Sequence, residues 1–227
     1  MKFAREGYPF VAAGVLVAVL GWVGVAVGIG GPWLMAISAV SSLLALFTLW
    51  FFRDPAPTLP ADARSVVAPG QGKVISISEV DEPTFLGGRA RRITIFLSVF
   101  DVHVQRAPVS GIVEHRVYTP GKYLVAWKEK ASADNEQSSL GISTRHGPVL
   151  VRQIAGLIAR RIITDPNEGD AVVRGNRLGI IRFGSRLDVY LPKGVAPLVA
   201  VGQRAIAGET VIADIRAKEP ARTGDVR

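Results

Sequence analysis

The chain contains no cysteine among its 227 residues. A disulfide scaffold, a thiolate-ligated metal site and a cysteine nucleophile are therefore excluded. Histidine is also scarce, with three in the whole chain. Any enzymatic chemistry must consequently rest on serine, histidine, lysine or carboxylate side chains.

Charged residues are absent from one long stretch near the N-terminus, the 45 residues 8–52. A bilayer-spanning helix needs roughly 20 apolar residues. The stretch provides two such runs on either side of Gly30-Gly31-Pro32, which breaks a helix. We predict a membrane-associated hydrophobic helical hairpin over residues 1–52. A secretory signal peptide is the alternative, but the stretch is too long for one and has no clear small-residue cleavage site.

The charges that flank the hairpin point to its orientation. Lys2 and Arg5 precede it and Arg53 follows it, so both ends of the hairpin lie on the same side of a membrane. The positive-inside rule places that side in the cytoplasm. We therefore expect a protein of the inner cell membrane whose soluble domain faces the cytoplasm.

Proline and short β-like runs characterise the rest of the chain. Three prolines make residues 53–64 an extended linker. Residues 65–217 form a domain in which short apolar runs are separated by Gly, Pro and Asp, a pattern typical of strands and turns. Residues 218–227 form a flexible polar tail. The apolar runs are residues 66–67, 74–77, 93–99, 102–104, 112–113 and 149–151.

One segment has helical rather than β spacing. Its apolar residues Ile154, Leu157, Ile158 and Ile162 recur at the interval expected for one face of a helix. The fold class predicted is therefore mainly β (α+β), with one or two helices in the domain that follows the hairpin.

A short internal repeat favours a barrel-sandwich-like β domain. The pattern Ala-Pro-x-x-Gly-x-Val occupies residues 68–74 and returns 39 residues later at 107–113. Residues 203–215 form a related strand-turn-strand pattern around Gly208. The repeat resembles the duplicated hairpins of biotinyl and lipoyl carrier domains. Those domains present a lysine in a Met-Lys or Asp-Lys dipeptide, and neither dipeptide occurs in residues 65–217.

Asp101 and His103 are the first candidate for chemistry. On a strand these two positions share a face, and a carboxylate beside an imidazole fixes its tautomer and raises its basicity, which suits a general base. The same pair is also typical of a polar edge strand or of part of a metal site. His115 and His146 stand in polar, loop-like contexts, and we expect them on the surface.

Gly184-Ser185 is the second candidate, between two apolar runs. Locally it is typical of a turn or a bulge. It also suits an N→O acyl shift, because glycine leaves its carbonyl open to the serine hydroxyl and a strained turn raises the ground state towards the ester. β-Elimination of that ester gives a dehydroalanine, which hydrolyses to an N-terminal pyruvoyl group. His103, held by Asp101, is the best base for deprotonating Ser185.

Several blocks, in a fixed order over roughly residues 60–220, resemble the phosphatidylserine decarboxylase proenzymes of the short, archaeal-like bacterial type. The longer bacterial members have a further histidine before the Asn-Glu block, and residues 122–134 here contain none. The blocks are Phe96-Leu97-Ser98-Val99-Phe100-Asp101-Val102-His103, Arg106-Ala107-Pro108 with Gly111, Tyr118-Thr119-Pro120-Gly121-Lys122-Tyr123, Lys130-Ala131-Ser132-Ala133-Asp134-Asn135-Glu136, Gln153-Ile154-Ala155-Gly156 with Ala159-Arg160-Arg161-Ile162, and residues 179–192 around Gly184-Ser185.

The resemblance implies self-cleavage between Gly184 and Ser185. The products would be a β chain of residues 1–184 and an α chain of residues 185–227, held together as a heterodimer. The α chain would begin with a covalent pyruvoyl group derived from Ser185, the cofactor on which the substrate amine forms a Schiff base. The resemblance further implies that Asp101 and His103 serve the cleavage, and that phosphatidylserine is decarboxylated to phosphatidylethanolamine.

Two other function classes remain open on the residues alone. A non-catalytic, membrane-anchored barrel-sandwich adaptor or carrier would explain the hairpin and the repeat, but not Asp101, His103 or Gly184-Ser185. A membrane-tethered metallopeptidase lacks a second histidine-rich motif, so no metal site is expected. The net charge of +8 comes without a basic run interleaved with aromatic residues, so nucleic acid is not an expected partner. An anionic membrane surface and an anionic phospholipid fit that charge.

Overall fold

The computed structural model describes residues 2–62, 65–121, 135–156, 161–182 and 184–215. The chain divides into two compact units, Met1–Ala56 and Pro57–Arg227. The first unit is helical and the second is a β domain. The predicted tail, 218–227, and the block at 122–134 lie outside the described residues.

Two long apolar helices dominate the first unit. Helix α1 spans Tyr8–Ala26 and helix α2 spans Gly31–Phe51, and both are long and apolar enough to cross a membrane. A short strand before them, β1 (Lys2–Phe3), pairs antiparallel with a short strand after them, β2 (Arg53–Asp54). Gly30 takes a φ of 69° just before α2, a left-handed conformation that glycine adopts without strain. The predicted helical hairpin is confirmed.

Small residues set the distance between the two helices. Gly14 and Gly21 lie seven residues apart on α1 and face Ala45 and Ser38, which lie seven residues apart on α2. A Cβ at Gly14 would lie 3.2 Å from the Ala45 Cβ, and one at Gly21 would collide with the Ser38 Oγ. Close approach at small residues is how helices pack in the absence of a hydrophobic driving force.

Antiparallel strands build the second unit. The described strands are β3 (Ser65–Val67), β4 (Gly72–Glu82), β5 (Gly88–Leu97), β6 (Val104–Arg106), β7 (Gly111–Thr119), β8 (Gln137–Thr144), β9 (Gly147–Ala155), β10 (Ile162–Thr164), β11 (Ala171–Val172), β12 (Arg177–Ile181), β13 (Ser185–Pro192), β14 (Arg204–Ala205) and β15 (Val211–Asp214).

Three sheets result from this pairing. The largest has the strand order β11-β7-β8-β9-β13-β5-β4-β14 and curls into a half-barrel. A three-stranded sheet has the order β10-β12-β6, and β15 pairs with β3. The strands of the large sheet alternate apolar residues that enter a single core with residues on the other face. Fully buried core residues on the two adjacent strands β5 and β13 are Ile93, Ile95, Leu97, Leu187, Val189 and Leu191.

The fold class is confirmed as mainly β with a preceding helical hairpin, but the helix predicted through Ile154 and Ile162 is wrong at both of those residues. Ile154 lies on β9 and Ile162 on β10, while Leu157 and Ile158 lie outside the described residues. Strand β9 is buried on both faces along most of its length, so its sequence lacks the apolar–polar alternation that would have marked it as a strand. The helix-like spacing combined apolar residues of two different strands with those of the segment between them.

The internal repeat has a structural basis. Gly72 begins β4 and Gly111 begins β7, and a Cβ at these positions would collide with the carbonyl oxygens of Phe96 and Ser143, respectively. Each repeat thus brings its backbone against the next strand at a point where only glycine fits.

A second part of the repeat is only half visible in the sequence. Val74 exchanges backbone hydrogen bonds with residues 202–203, and Val113 does the same with residues 169–170. The predicted pattern around Gly208 therefore has a counterpart around Gly175, and both glycines have positive φ. The domain is a duplicated strand-turn-strand unit.

The segment before β3 is fastened to the β domain. The guanidinium of Arg174 donates hydrogen bonds to the carbonyl oxygens of Pro60 at 2.7 Å and Ser65 at 3.1 Å. The amide of Thr58 donates to the Glu209 carboxylate at 2.9 Å. Residues 57–62 are therefore part of the second unit.

Candidate active site

Ser185 is the first residue of β13, the strand between β9 and β5 in the large sheet. It lies opposite Leu97 on one side and Ala155 on the other, and it is fully buried. Its Oγ has no hydrogen-bond partner among the described residues. Buried hydroxyls are normally paired, so an unpaired one calls for an explanation.

Gly184 forms the turn that leads into β13. The chain passes from β12 in the three-stranded sheet to β13 in the large sheet between Ile181 and Ser185. Gly184 has a φ of 73°, which other residues adopt only at a cost of roughly 1–2 kcal/mol. A Cβ there would meet only the Val99 side chain at 3.7 Å, so backbone conformation rather than crowding requires glycine.

His103 contacts this turn. The ring is fully buried, and its Nε2 lies 3.1 Å from the backbone nitrogen of Gly184, which donates the hydrogen bond. Its Nδ1 lies 2.9 Å from the carbonyl oxygen of Asp101. A carbonyl can only accept, so Nδ1 carries the proton and Nε2 presents a lone pair. Two backbone groups therefore fix the tautomer of the ring, with its Nε2 lone pair facing the Gly184 amide.

Asp101 acts on His103 differently from the sequence-based expectation. Asp101 and His103 lie in the turn before β6, which begins at Val104, so the predicted strand at 102–104 is wrong over most of its length. The backbone carbonyl of Asp101 orients the imidazole. Its buried carboxylate accepts a hydrogen bond from the amide of Ser98 at 2.9 Å and pairs with Arg204. The Asp101 carboxylate thus stabilises the turn, and the backbone of the turn orients the imidazole ring of His103.

A chain of polar side chains runs through the interior close to this turn. Gln153 Nε2 donates to Gln105 Oε1 at 3.0 Å, and Thr164 Oγ1 donates to Gln153 Oε1 at 2.6 Å. The Ser138 and Thr164 hydroxyls lie 2.8 Å apart. The sequence analysis named Gln153 only as part of a matching block and missed the other three residues and Arg204. A further available signal was the placement of Gln105 and Gln153 within apolar strands.

The opposite face of the sheet carries a separate set of ion pairs. Arg186 makes two 2.8 Å hydrogen bonds to the carboxylate of Asp188, and both side chains are buried. Arg152 donates to the hydroxyl of Tyr190 at 3.0 Å. Burial, with the charge of Asp188, raises the pKa of Tyr190 above its usual value despite Arg152. The side chains of residues 185 and 186 point to opposite faces of the sheet, so these pairs stabilise β13 from the face opposite Ser185.

The other two histidines do not enter this site. His115 lies on β7 and stacks on Phe85 with ring centroids 5.7 Å apart. His146 lies in the turn between β8 and β9. Both are half-buried rather than fully exposed. In the part of the chain that the structure describes, no group of three or more His, Asp or Glu side chains is placed to hold a metal ion, so a metallopeptidase site is not found there.

Known proteins are similar in sequence to this chain over nearly its whole length. The model of the phosphatidylserine decarboxylase family matches residues 44–213. A phosphatidylserine decarboxylase proenzyme of Symbiobacterium thermophilum is 50% identical over 210 residues, which cover 92% of this chain and 94% of that protein. Proenzymes of the same name from Beijerinckia indica and Paramagnetospirillum magneticum are each 46% identical, over 95% and 98% of this chain and 90% and 91% of theirs.

Proposed function

The chain belongs to the phosphatidylserine decarboxylase family, and from this premise we propose that it decarboxylates phosphatidylserine to phosphatidylethanolamine. The enzyme is a carboxy-lyase made from a proenzyme that cleaves itself at Gly184-Ser185. The observation that carries the proposal is the contact between His103 Nε2 and the amide of Gly184 at 3.1 Å. It puts the lone pair of a fixed, buried imidazole at the residue whose carbonyl must be attacked.

The cleavage begins with a proton transfer from the Ser185 Oγ to His103 Nε2. Nε2 has one lone pair, which accepts from the Gly184 amide in this state, so the ring must exchange that hydrogen bond for one from the Ser185 hydroxyl. The Ser185 Oγ then attacks the Gly184 carbonyl carbon. A C–O bond forms, the C–N bond to Ser185 breaks, and the amine nitrogen takes up the proton. The left-handed backbone of Gly184, which glycine adopts without strain, supports this shift because residue 184 has no Cβ to shield its carbonyl carbon from the serine hydroxyl.

The ester then breaks by elimination. A base removes the Cα proton of residue 185, the Cβ–Oγ bond breaks, and Gly184 leaves with a terminal carboxylate. Water hydrolyses the resulting dehydroalanine with loss of ammonia, which leaves a pyruvoyl group at the start of residues 185–227. The position of Ser185 fits this group, since it is the fully buried first residue of a strand held on both sides by neighbouring strands.

The pyruvoyl group, once formed, supplies an electron sink for the carbanion that decarboxylation leaves. The chain supplies the remainder. Leu97 and Ala155, both fully buried, wall the start of β13 with apolar surface and keep water away. Once His103 Nε2 has taken a proton, either from solvent or from the substrate amine as the Schiff base forms, it can pass that proton to the substrate carbon. Asp101 and Arg204 keep that ring in place by holding the turn that carries it.

The hairpin explains how the β domain would reach a phospholipid substrate. We propose that α1 and α2 insert into the inner cell membrane with the β domain on the cytoplasmic side, which the basic flanks Lys2, Arg5 and Arg53 support. The +8 net charge attracts the domain to an anionic membrane surface. The proposal keeps the division into hairpin 1–52, linker 53–64, decarboxylase domain 65–217 and tail 218–227, with the two cleaved chains as a heterodimer.

The direct test is turnover by the purified full-length chain in detergent micelles. Phosphatidylserine labelled in its carboxyl carbon should release labelled carbon dioxide and give phosphatidylethanolamine, whereas Ser185→Ala should release none. A wild-type protein that inserts into membranes but releases no carbon dioxide would instead favour the non-catalytic adaptor.

A further inference from the structure

Gln105 carries a buried donor that has no assigned role in the cleavage steps. It lies on β6, two residues after His103, and is fully buried. Its Nε2 has no hydrogen-bond partner among the described residues. Burying an amide group without a partner is unfavourable, so this one calls for an explanation.

The hydrogen bonds that connect Ser138 to Gln105 all run in the same donor-to-acceptor direction. Thr164 uses its only hydroxyl proton on Gln153 Oε1, so Ser138 must be the donor to Thr164. Gln153 in turn donates to Gln105 Oε1. Each bond points the same way, from Ser138 towards Gln105, and hydrogen bonds in series polarise one another. The series of hydrogen bonds therefore ends at the Gln105 N–H group, and its polarisation makes that group a stronger donor to an electron-rich acceptor.

The register of the strands places this donor near the cleavage site. Gln153 lies opposite Leu187, and two residues further along the same two strands Ala155 lies opposite Ser185. Side chains two residues apart on a strand share a face, with a separation of roughly 7 Å. Gln153 and Ser185 therefore face the same side of the sheet, and Gln105, bonded to Gln153, lies beside them.

Two acceptors come into question for this donor, an oxygen of the cleavage intermediate and an oxygen of the substrate. An oxyanion donor is placed for the oxygen of the tetrahedral intermediate rather than for the ground-state carbonyl, so a Gln105 Nε2 without a partner among the described residues is compatible with both. The cleavage of a Gln105 variant separates them, because loss of the donor impairs cleavage only in the first case.

We propose that Gln105 is a headgroup-binding residue whose Nε2 donates a hydrogen bond to an anionic oxygen of the bound phosphoserine headgroup. The inference rests on the proposed decarboxylase function. Gln153, Thr164 and Ser138 are positioning residues that orient the Gln105 amide and polarise it. A neutral donor suits this place, because a buried cation would hold the leaving carboxylate in its charged ground state.

The test compares Gln105→Met with Gln203→Met in the full-length protein. Gln203 is an exposed glutamine that accepts a hydrogen bond from the amide of Ala200, and it serves as the matched control. Gln105→Met should be cleaved normally and show a KM for phosphatidylserine in micelles roughly 10- to 100-fold higher, with kcat little changed. Gln203→Met should match the wild type. Gln105→Glu keeps the acceptor for Gln153 and replaces the donor with a carboxylate, so normal self-cleavage together with a raised KM in this variant excludes a folding defect.

A competitor distinguishes the two possible acceptors. Glycerophosphoethanolamine keeps the phosphate and lacks the carboxylate. If Gln105→Met raises KM without weakening this inhibitor, the acceptor is the carboxylate; if it weakens both, the acceptor is the phosphate. An unchanged KM, a loss confined to kcat, or a block in cleavage would each overturn the inference. A wild-type protein that neither cleaves itself nor turns over phosphatidylserine would instead contradict the proposed function.

Discussion

The imidazole of His103 and the backbone amide of Gly184 are hydrogen-bonded at 3.1 Å, although 81 residues separate them in the chain. The turn before β6 supplies the ring, and the turn before β13 supplies the amide. The bond thus joins the two sheets at the point where the chain crosses from one to the other. A base assembled in this way exists only when both sheets have formed, so cleavage depends on completed folding.

The first prediction concerns this base. His103→Ala should accumulate the uncleaved precursor, because general-base assistance contributes roughly 10²–10⁴-fold to a rate. His146→Ala, in the turn between β8 and β9, is the matched control and should be cleaved like the wild type. A time course of fragment formation on a denaturing gel measures both. Cleavage of His103→Ala at the wild-type rate would remove the assignment of His103.

The second prediction separates the two roles of Asp101. Asp101→Asn keeps the backbone carbonyl on His103 and an acceptor for the Ser98 amide, and loses only the charge that pairs with Arg204. Since Arg204 is 63% exposed, that pair contributes little. Asp101→Asn and Arg204→Ala should therefore slow cleavage alike, and each by less than about tenfold. If Asp101→Asn is as severe as His103→Ala, the carboxylate acts on the imidazole directly.

The third prediction uses the absence of natural cysteine. A Cβ at Gly14 would lie 3.2 Å from the Ala45 Cβ, slightly closer than the roughly 3.5–4.5 Å of a disulfide. A small outward shift of the helices therefore lets Gly14→Cys with Ala45→Cys oxidise to a disulfide. Val15→Cys with Ala45→Cys is the control, because residue 15 is turned about 100° around the helix. Mass spectrometry after alkylation counts the remaining thiols. Equal oxidation of the two pairs would contradict the packing of α1 on α2.

The fourth prediction is a pH dependence of stability. Burial of Glu82 opposes its ionisation, but hydrogen bonds from Thr84 and from the amides of Leu86 and Phe85, with the charge of Arg152, outweigh burial and lower the pKa of Glu82 below 4.5. A lowered pKa in the folded state stabilises the fold above the unfolded pKa, and that stabilisation is lost as the pH falls through the folded value.

Glu82→Gln should therefore have a lower Tm than the wild type at pH 7, and the difference should shrink as the pH falls below 4.5. Glu79→Gln is the control, since Glu79 is 42% exposed and its pairing with Arg91 contributes little. Thermal unfolding followed by circular dichroism at several pH values measures both variants. A Tm difference for Glu82→Gln that stays constant from pH 7 to pH 3 would contradict the prediction.

The sequence predicted the parts of the site that carry distinctive chemistry. His103 and Gly184-Ser185 stand out because few other residue types could cleave a chain without cysteine, and the structure brings them together. The helical hairpin was equally visible, because a charge-free run of 45 residues is rare outside a membrane-associated segment.

The support around those residues could not be predicted in the same way. Arg204 meets Asp101 across 103 residues, and Gln105 meets Gln153 across 48, so no local spacing reveals either contact. The orientation of His103 by a backbone carbonyl leaves no trace in the sequence, because every residue has a carbonyl. The seven-residue spacing of Gly14 and Gly21 is present in the sequence, but it does not reveal that Ala45 and Ser38 lie opposite them on α2.

Self-cleavage at Gly184-Ser185 is the central claim, and the intact mass of the purified protein tests it most directly. Cleavage there predicts two fragments, of 184 and 43 residues. The smaller fragment should resist Edman sequencing and react with a hydrazide through its N-terminal carbonyl, and Ser185→Ala should stay at full length. A preparation that decarboxylates phosphatidylserine as a single uncleaved chain of 227 residues would contradict the claim.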